Sequence, residues 1–524
     1  MGKKKINFYK YSAKEVFISF QHMFAMLGAT ILVPILTNMS IPMALISAGL
    51  GTIAFHFISK RKVPVFLGSS FAFLPALISI VAGSGEKYST EWQNSMAVAV
   101  LCIVLAGLVY VGIAGIIKLV GAEKVKKFFP PVVIGPVIII IGMILAPKMF
   151  WNNILFNYLK LGSVSWKEWS AAIVTALTIL LISAFSKPKS FLKVIPVLLG
   201  FIVGYIYSAI IGIINFEGAF SADRIIIFQN IGKELSFYKG FANITGTSFL
   251  TGFLAVVPVA IVTFMEHLGD ISANSYICGQ DFMVDPGLNR TVLGDGVGTI
   301  IAGLLGGPPN TTYGENSAVL AITKNYEPKN VFLAGVLAVI FGVFSVFGDL
   351  LATIPSAVIG GASIVLFGMI SASGLRVLVD AKVDFTDTRN MMIVSVILAT
   401  GLGLGALSLA GDIIGSLGLE YIQVGGQVIQ IADSSKLKIM AGSVEISPLA
   451  IATVLGMLLN IIYPTEENVE KLRAKISKFF KNIRKKSSEK ESEDTTVEKI
   501  SDEADKVEAD QEVIEENTTK QDAE

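Results

Sequence analysis

Apolar residues in this chain come in runs rather than stripes. Segments near 16–36, 41–59, 64–82, 95–117, 128–146, 169–186 and 191–215 form one set. Segments near 248–272, 293–306, 314–323, 330–347, 350–372, 390–410 and 446–463 form a second. Runs of about 20 residues with no amphipathic period read as helices surrounded by lipid. The pattern therefore predicts an all-α polytopic membrane protein with 14 transmembrane segments, seven and seven. Lys3, Lys4 and Lys5 precede the first run, but no small-residue cleavage site follows, so segment 1 reads as an uncleaved helix. The expected layout is an N-terminus over 1–15, a first half over 16–215, a linker over 216–247 and a second half over 248–463.

The two halves resemble each other. Gln21-His22 and Glu266-His267 stand 245 residues apart, and the same offset carries Ser70-Phe71 onto Glu315-Asn316. Pro-x-x-Val-Ile-Gly at 130–135 recurs at 355–360. Repeats with an odd number of spans must lie inverted in the membrane. Segments 3 and 10 are interrupted at matching places. Pro64 and Gly68-Ser69-Ser70 open the first, and Gly306-Gly307-Pro308-Pro309-Asn310-Thr311-Thr312-Tyr313-Gly314 opens the second. Short strand-like breaks leading into half-helices point to a binding site at mid-membrane.

Composition agrees. The 524 residues are 53% hydrophobic and 16% charged, against about 25% charge in soluble domains. Soluble enzymes, nucleic-acid binders and secreted disulfide scaffolds are poor readings, and Cys102 and Cys278 are the only cysteines. With the N-terminus inside, the inner segments hold 21 Lys and Arg and the outer ones nine, which places both termini in the cytoplasm. The 464–486 flank is basic, with Phe479 and Phe480 interleaved, and suits anionic lipid headgroups as well as a plain stop-transfer end. Residues 487–524 hold 15 acids and four bases, and are expected to be disordered.

Glu266, Asp270 and Glu315 are the acids this reading places inside apolar segments, each costing about 2.5–3.5 kcal/mol at the bilayer centre. Glu266 and Asp270 share a helix face at i, i+4, with His267 beside them. The bland alternative is a polar network between helices. The functional one is a site in which carboxylates accept N–H groups, while free backbone amides near Phe73 and Gly314 meet carbonyl oxygens. A planar ligand alternating N–H and C=O satisfies both, and buried carboxylates suit proton coupling. His22 lines the core beside Gln21, whereas His56 reads as structural or interfacial.

These residues resemble the nucleobase–ascorbate transporter family, its uracil permease branch in particular. The carrying stretches are Gln21-His22 with Gly28-Ala29-Thr30 and Val33-Pro34, then Gly68-Ser69-Ser70-Phe71-Ala72-Phe73, Glu266-His267-Leu268-Gly269-Asp270 and Pro309-Asn310-Thr311-Thr312-Tyr313-Gly314-Glu315-Asn316. The resemblance runs from about residue 8 to 463. It implies that Glu266 and Glu315 hydrogen-bond a uracil ring and that the amides of Phe73 and Gly314 meet its oxygens, with Tyr313 beside it. Asp270, His267 and Glu266 would handle the proton, and Asn316, Thr323, Gln21 and His22 would support the site. It further implies a homodimer in the plasma membrane, contacting lipids and no nucleic acid. Each chain would have a core (segments 1–4 and 8–11) moving like an elevator against a gate (5–7 and 12–14), with no cofactor beyond the coupling proton. Two positions depart from the pattern: Ala318 stands where the signature has Gly, and Asp270 where uracil permeases often carry His. Glu315 favours uracil over xanthine. Anion exchange on the same fold ranks below, because the carboxylates repel anions. A channel or membrane-embedded enzyme ranks lowest, because the sequence shows no selectivity-filter motif, no metal-ligand cluster and no nucleophile with a paired base.

Overall fold

A computed structural model describes residues 9–463, apart from 83, 123, 126–128, 156–165, 188–189, 194, 215–230, 345–347, 349, 352, 418–420, 425–426, 431–439, 442–443 and 446. Lys3–Lys5, most of the expected linker, the 464–486 flank and the 487–524 tail lie outside the described residues, as do the side chains of Glu315 and Ala318.

Helix α1 (Ala13–Thr37) starts at a capping box: Ser12 accepts from Glu15 N, and the Glu15 side chain reaches back to Ser12 N. It ends at Asn38, which closes the helix in the left-handed conformation. α2 (Ile41–Ile58) is capped by Ser40 and has Pro42 in its first turn. Segment 3 is a strand β1 (Leu67–Ser69) running into a short helix α3 (Phe71–Val81). α4 (Thr90–Val120), α5 (Pro131–Phe150), α6 (Trp166–Phe185) and α7 (Pro196–Ile210) complete the first half.

Segment 8 breaks at Pro258, whose missing N–H ends one helix and opens the next, giving α8 (Gly246–Val256) and α9 (Val259–Cys278). α10 (Leu288–Leu304) precedes strand β2 (Asn310–Thr312), which runs into α11 (Gly314–Thr323). α12 (Pro328–Val343), α13 (Ser356–Asp380), α14 (Thr388–Leu417) and α15 (Pro448–Ile462) follow. Among the described residues, eight helices are long and apolar enough to cross a membrane, the α8–α9 pair being one. α1 is largely buried, whereas α6 exposes Ile173, Leu177, Leu180, Leu181 and Phe185 and α14 exposes Met391, Met392 and Leu407. Apolar patches of that extent suit a lipid solvent, not water.

The packings come in matched pairs. α2 lies on α12 as α4 lies on α10, and α6 lies on α13 as α14 lies on α5. Exchanging each segment with the one seven places on carries one member of each pair into the other. The α5–α13 contact and the β1–β2 contact are carried into themselves. Pro130 and Pro355 cap α5 and α13 with similar extended backbones. These two helices touch backbone to backbone: a Cβ on Gly142 would fall 2.2 Å from Phe367 O. Small residues permit this approach where lipid supplies no hydrophobic drive between helices.

Candidate functional site

The chain's two interrupted segments meet as an antiparallel pair, with Leu67 opposite Thr312, Gly68 opposite Thr311 and Ser69 opposite Asn310. The ladder is extended by Ser70 N to Pro309 O (2.8 Å) and Tyr313 N to Phe66 O (3.3 Å). All six strand residues are buried. Extended backbone at such depth survives only if its polar groups find partners inside the protein, and neighbouring helices provide them. Thr52 Oγ1 accepts from Leu67 N at 2.9 Å, and Thr299 Oγ1 donates to Asn310 O at 2.7 Å. Asn310 Nδ2 donates to Ser47 O and Gly298 O at 3.0 and 3.2 Å, and Ser69 Oγ donates to Thr30 O at 3.0 Å.

Each strand hands directly into a helix, so the first amides of α3 and α11 belong to the crossing. Phe73 lies in the first turn after β1 and is fully buried; Gly314 opens α11 and is exposed. Helix starts leave N–H donors without intrahelical partners and favour electronegative atoms. The Tyr313 hydroxyl donates to Ser69 O at 2.6 Å, and its ring lies 6.5 Å from that of Phe71 with planes 3° apart. Phe71 in turn meets Phe367 of α13 edge-on at 5.5 Å.

The helix α9 brings the acids to this crossing. Asp270 is half-buried; Thr312 Oγ1 donates to its Oδ2 at 3.1 Å, and a Cβ on Gly314 would fall 2.9 Å from its Oδ1. One turn back is Glu266, half-buried. The buried Tyr110 hydroxyl lies beside Thr263 and Thr311, within electrostatic reach of Glu266 and Asp295. His267 is fully buried, with Nδ1 donating to Asp295 Oδ2 at 2.8 Å and Nε2 3.0 Å from Thr291 Oγ1. Thr312 Oγ1 also stands 3.4 Å from His267 Nδ1, so this hydroxyl bridges the Asp270 and His267 environments.

Gln21, His22 and Asn316 form a second group. Asn316 Nδ2 donates to Pro64 O at 2.8 Å, which leaves its Oδ1 to accept from His22 Nδ1 at 2.6 Å. His22 Nε2 is therefore an acceptor; it and Gln21 Oε1 are buried without a protein partner. Thr323 stands apart from both groups in its bonding: its hydroxyl donates to Val319 O and accepts from Asn325 N, finishing its own helix.

Asp295 corrects the expectation that Glu266, Asp270 and Glu315 account for the acids in apolar segments. It is completely buried on α10, inside the segment expected over 293–306. Gly294 and Gly296 on either side disguise it as loop, yet a buried carboxylate is tolerated where it has a hydrogen-bond partner, here His267. Thr312, the bridging hydroxyl, carries no charge to mark it out in sequence and is brought to the acids by strand β2. Among the described residues no three His, Cys, Asp or Glu side chains form a metal-binding group.

The family model of the xanthine/uracil permeases, described as a permease family, matches residues 13–409. The uracil permease of Bacillus subtilis (strain 168) is 38% identical over 470 residues, 88% of this chain and 97% of its own. The uracil permease of Escherichia coli (strain K12) is 30% identical over 449 residues, 85% of this chain and 90% of its own. Among solved structures, the murine anion transporter Slc26a9 in its inward-facing state aligns at a TM-score of 0.56 and 11% identity, covering 82% of this chain and 73% of its own. The transmembrane domain of a cyanobacterial bicarbonate transporter aligns at 0.50 and 17% identity, covering 78% and 97%. These two likenesses are of fold alone. With its apolar helices, the chain is an integral membrane protein.

Proposed function

Because this chain belongs to the xanthine/uracil permease family, we propose that it carries uracil across the membrane together with a proton, at the crossing of β1 and β2. Its relatives are permeases, so it is a transporter rather than an enzyme. The observation that carries the reading is the bridge from Thr312 to Asp270 at the point where both half-helices begin. It brings a carboxylate acceptor of α9 next to the helix start of α11.

In this reading Glu266 and Glu315 accept the two ring N–H groups of uracil. The amides of Phe73 and Gly314 donate to its carbonyl oxygens, and the Tyr313 ring lies alongside. Charge-assisted bonds of this kind are about twice as strong as neutral ones, and a ligand lacking the N–H groups leaves the carboxylates unpaired. Asp270 takes and releases the coupling proton, being half-exposed beside Gly314, while His267 and Asp295 hold the inner end of the network. Gln21 and His22 offer buried acceptors behind the site, and Asn316 and Thr323 fix α11.

The matched helix packings support two inverted seven-segment repeats. Segments 1–4 and 8–11 form the moving core, 5–7 and 12–14 the gate, and the chain works as a homodimer in the plasma membrane with both termini inside. The edge-on contact of Phe71 with Phe367 then lies between core and gate. The alternative within the same family is a symporter of xanthine or another nucleobase in place of uracil. Fold likeness to anion transporters assigns no substrate, and carboxylates at the crossing repel anions. The test is uptake of labelled uracil at acidic external pH in competition with xanthine, thymine, 5-fluorouracil and sulfate. Uracil and 5-fluorouracil should compete and sulfate should not; competition by sulfate would contradict the reading.

A further inference from the structure

We propose that Arg61, at the end of α2, is a binding site for the phosphate of an anionic phospholipid, separate from the transport path. The residues of α2 that are not buried are Ile46, Leu50, Ile53, Ala54, Phe57 and Ile58, and their spacing makes them one stripe. In a membrane-spanning helix that stripe is the lipid-facing side. Arg61 follows Phe57 by four residues, and its guanidinium lies 5.2 Å from the centre of the Phe57 ring and 5.9 Å from that of Tyr9.

The chain is bent to put it there. Lys60 and Arg61 both take left-handed backbone (φ 58° and 61°), a conformation that side chains beyond glycine rarely adopt and that concentrates at functional sites. Arg61 N closes the turn onto His56 O at 2.7 Å. Tyr9 is fixed beneath the guanidinium by its hydroxyl on His56 Nε2 (2.9 Å) and by an edge contact with Phe332 (5.8 Å). The neighbouring cations are spoken for: Lys62 pairs with Asp285, and Lys329 pairs with Glu15 at 2.6 Å. Among the described residues Arg61 makes no ion pair, and exposed Lys60 adds a second positive charge beside it.

A guanidinium lying on aromatic faces keeps its planar fork of N–H donors at its edge, the geometry that grips a phosphate through two oxygens. Because the stripe ends at Phe57, an acyl chain lying along Leu50 and Phe57 delivers its headgroup to Arg61. A zwitterionic headgroup brings its own cation to the same place and is disfavoured. The occupant is therefore an anionic lipid rather than a neutral one.

The experiment uses the full chain purified in micelles holding equal phosphatidylglycerol and phosphatidylcholine, with retained lipid measured by mass spectrometry and thermal stability measured in parallel. One basic group near an anionic surface corresponds to about fivefold enrichment of phosphatidylglycerol. Arg61→Ala should lower that enrichment and the thermal protection to what the chain's other basic groups retain, and Arg61→Lys should lower each less, keeping the charge without the planar fork. Undiminished enrichment in Arg61→Ala would overturn the site. So would equal retention of the two lipids by the unmodified protein, a result that stands even if the variant fails to fold. Equal protection by glycerol 3-phosphate would assign the site to free phosphate and overturn the lipid.

Discussion

Gly68 and Tyr313 touch at the crossing so closely that a Cβ on residue 68 would stand 2.5 Å from Tyr313 Cε2. The ring cannot simply retreat, because its hydroxyl is anchored to Ser69 O at 2.6 Å and its face runs parallel to Phe71. Thr30 Oγ1 closes the other side at 2.9 Å. Gly68→Ala should therefore displace β1 against β2 at a cost of about 1–3 kcal/mol, and uracil uptake should fall steeply. Gly115→Ala, where nothing lies within 4 Å, serves as the control and should transport normally. Equal uptake by the two variants would show that the crossing tolerates the shift.

Asp295 holds His267 from a position fully shut off from solvent. Removing one partner of a buried hydrogen-bonded pair costs about 1–3 kcal/mol, because the other is left unsatisfied. Asp295→Ala should lower the melting temperature of the purified protein markedly, and Asp295→Asn, which keeps an acceptor for His267 Nδ1, should lower it less. Thermal unfolding in detergent distinguishes them; equal losses would mean that shape rather than pairing matters there.

Asp270 faces both the Thr312 hydroxyl and the exposed start of α11. Asp270→Asn keeps that hydrogen bond but cannot carry a proton. Accumulation of uracil driven by a proton gradient should drop more than tenfold, while exchange of labelled for unlabelled uracil at equal pH persists. Loss of both to the same extent would assign Asp270 to the substrate instead.

Local pattern was enough for a mostly helical chain with apolar spans and for the two interruptions, and eight helices among the described residues are long and apolar enough to span. Gly68-Ser69-Ser70 and the Gly- and Pro-rich stretch 306–314 announce broken segments, and strands stand at both places. The pairing of those strands links residues more than 240 apart, and no local pattern encodes such a partner. Helix limits moved for identifiable reasons. α13 runs from Ser356 to Asp380 instead of 350–372, because Pro355 can cap a helix but not continue one, and Pro258 divides segment 8. Glu266, Asp270 and His267 stood out because charge is scarce in apolar runs. Asp295 did not, since two flanking glycines gave it the look of a loop, and its partner is 28 residues away in sequence.

In the proposed function uracil binds between the carboxylates of Glu266 and Glu315 and the helix starts at the crossing. Calorimetric titration of uracil into the purified protein and into Glu266→Gln tests it most directly. The unmodified protein should bind, and the variant, with an unchanged melting temperature, should lose binding by at least about tenfold, since a hydrogen bond to a charged group is worth about 1.5–3 kcal/mol. Undiminished uracil binding by folded Glu266→Gln would contradict the account.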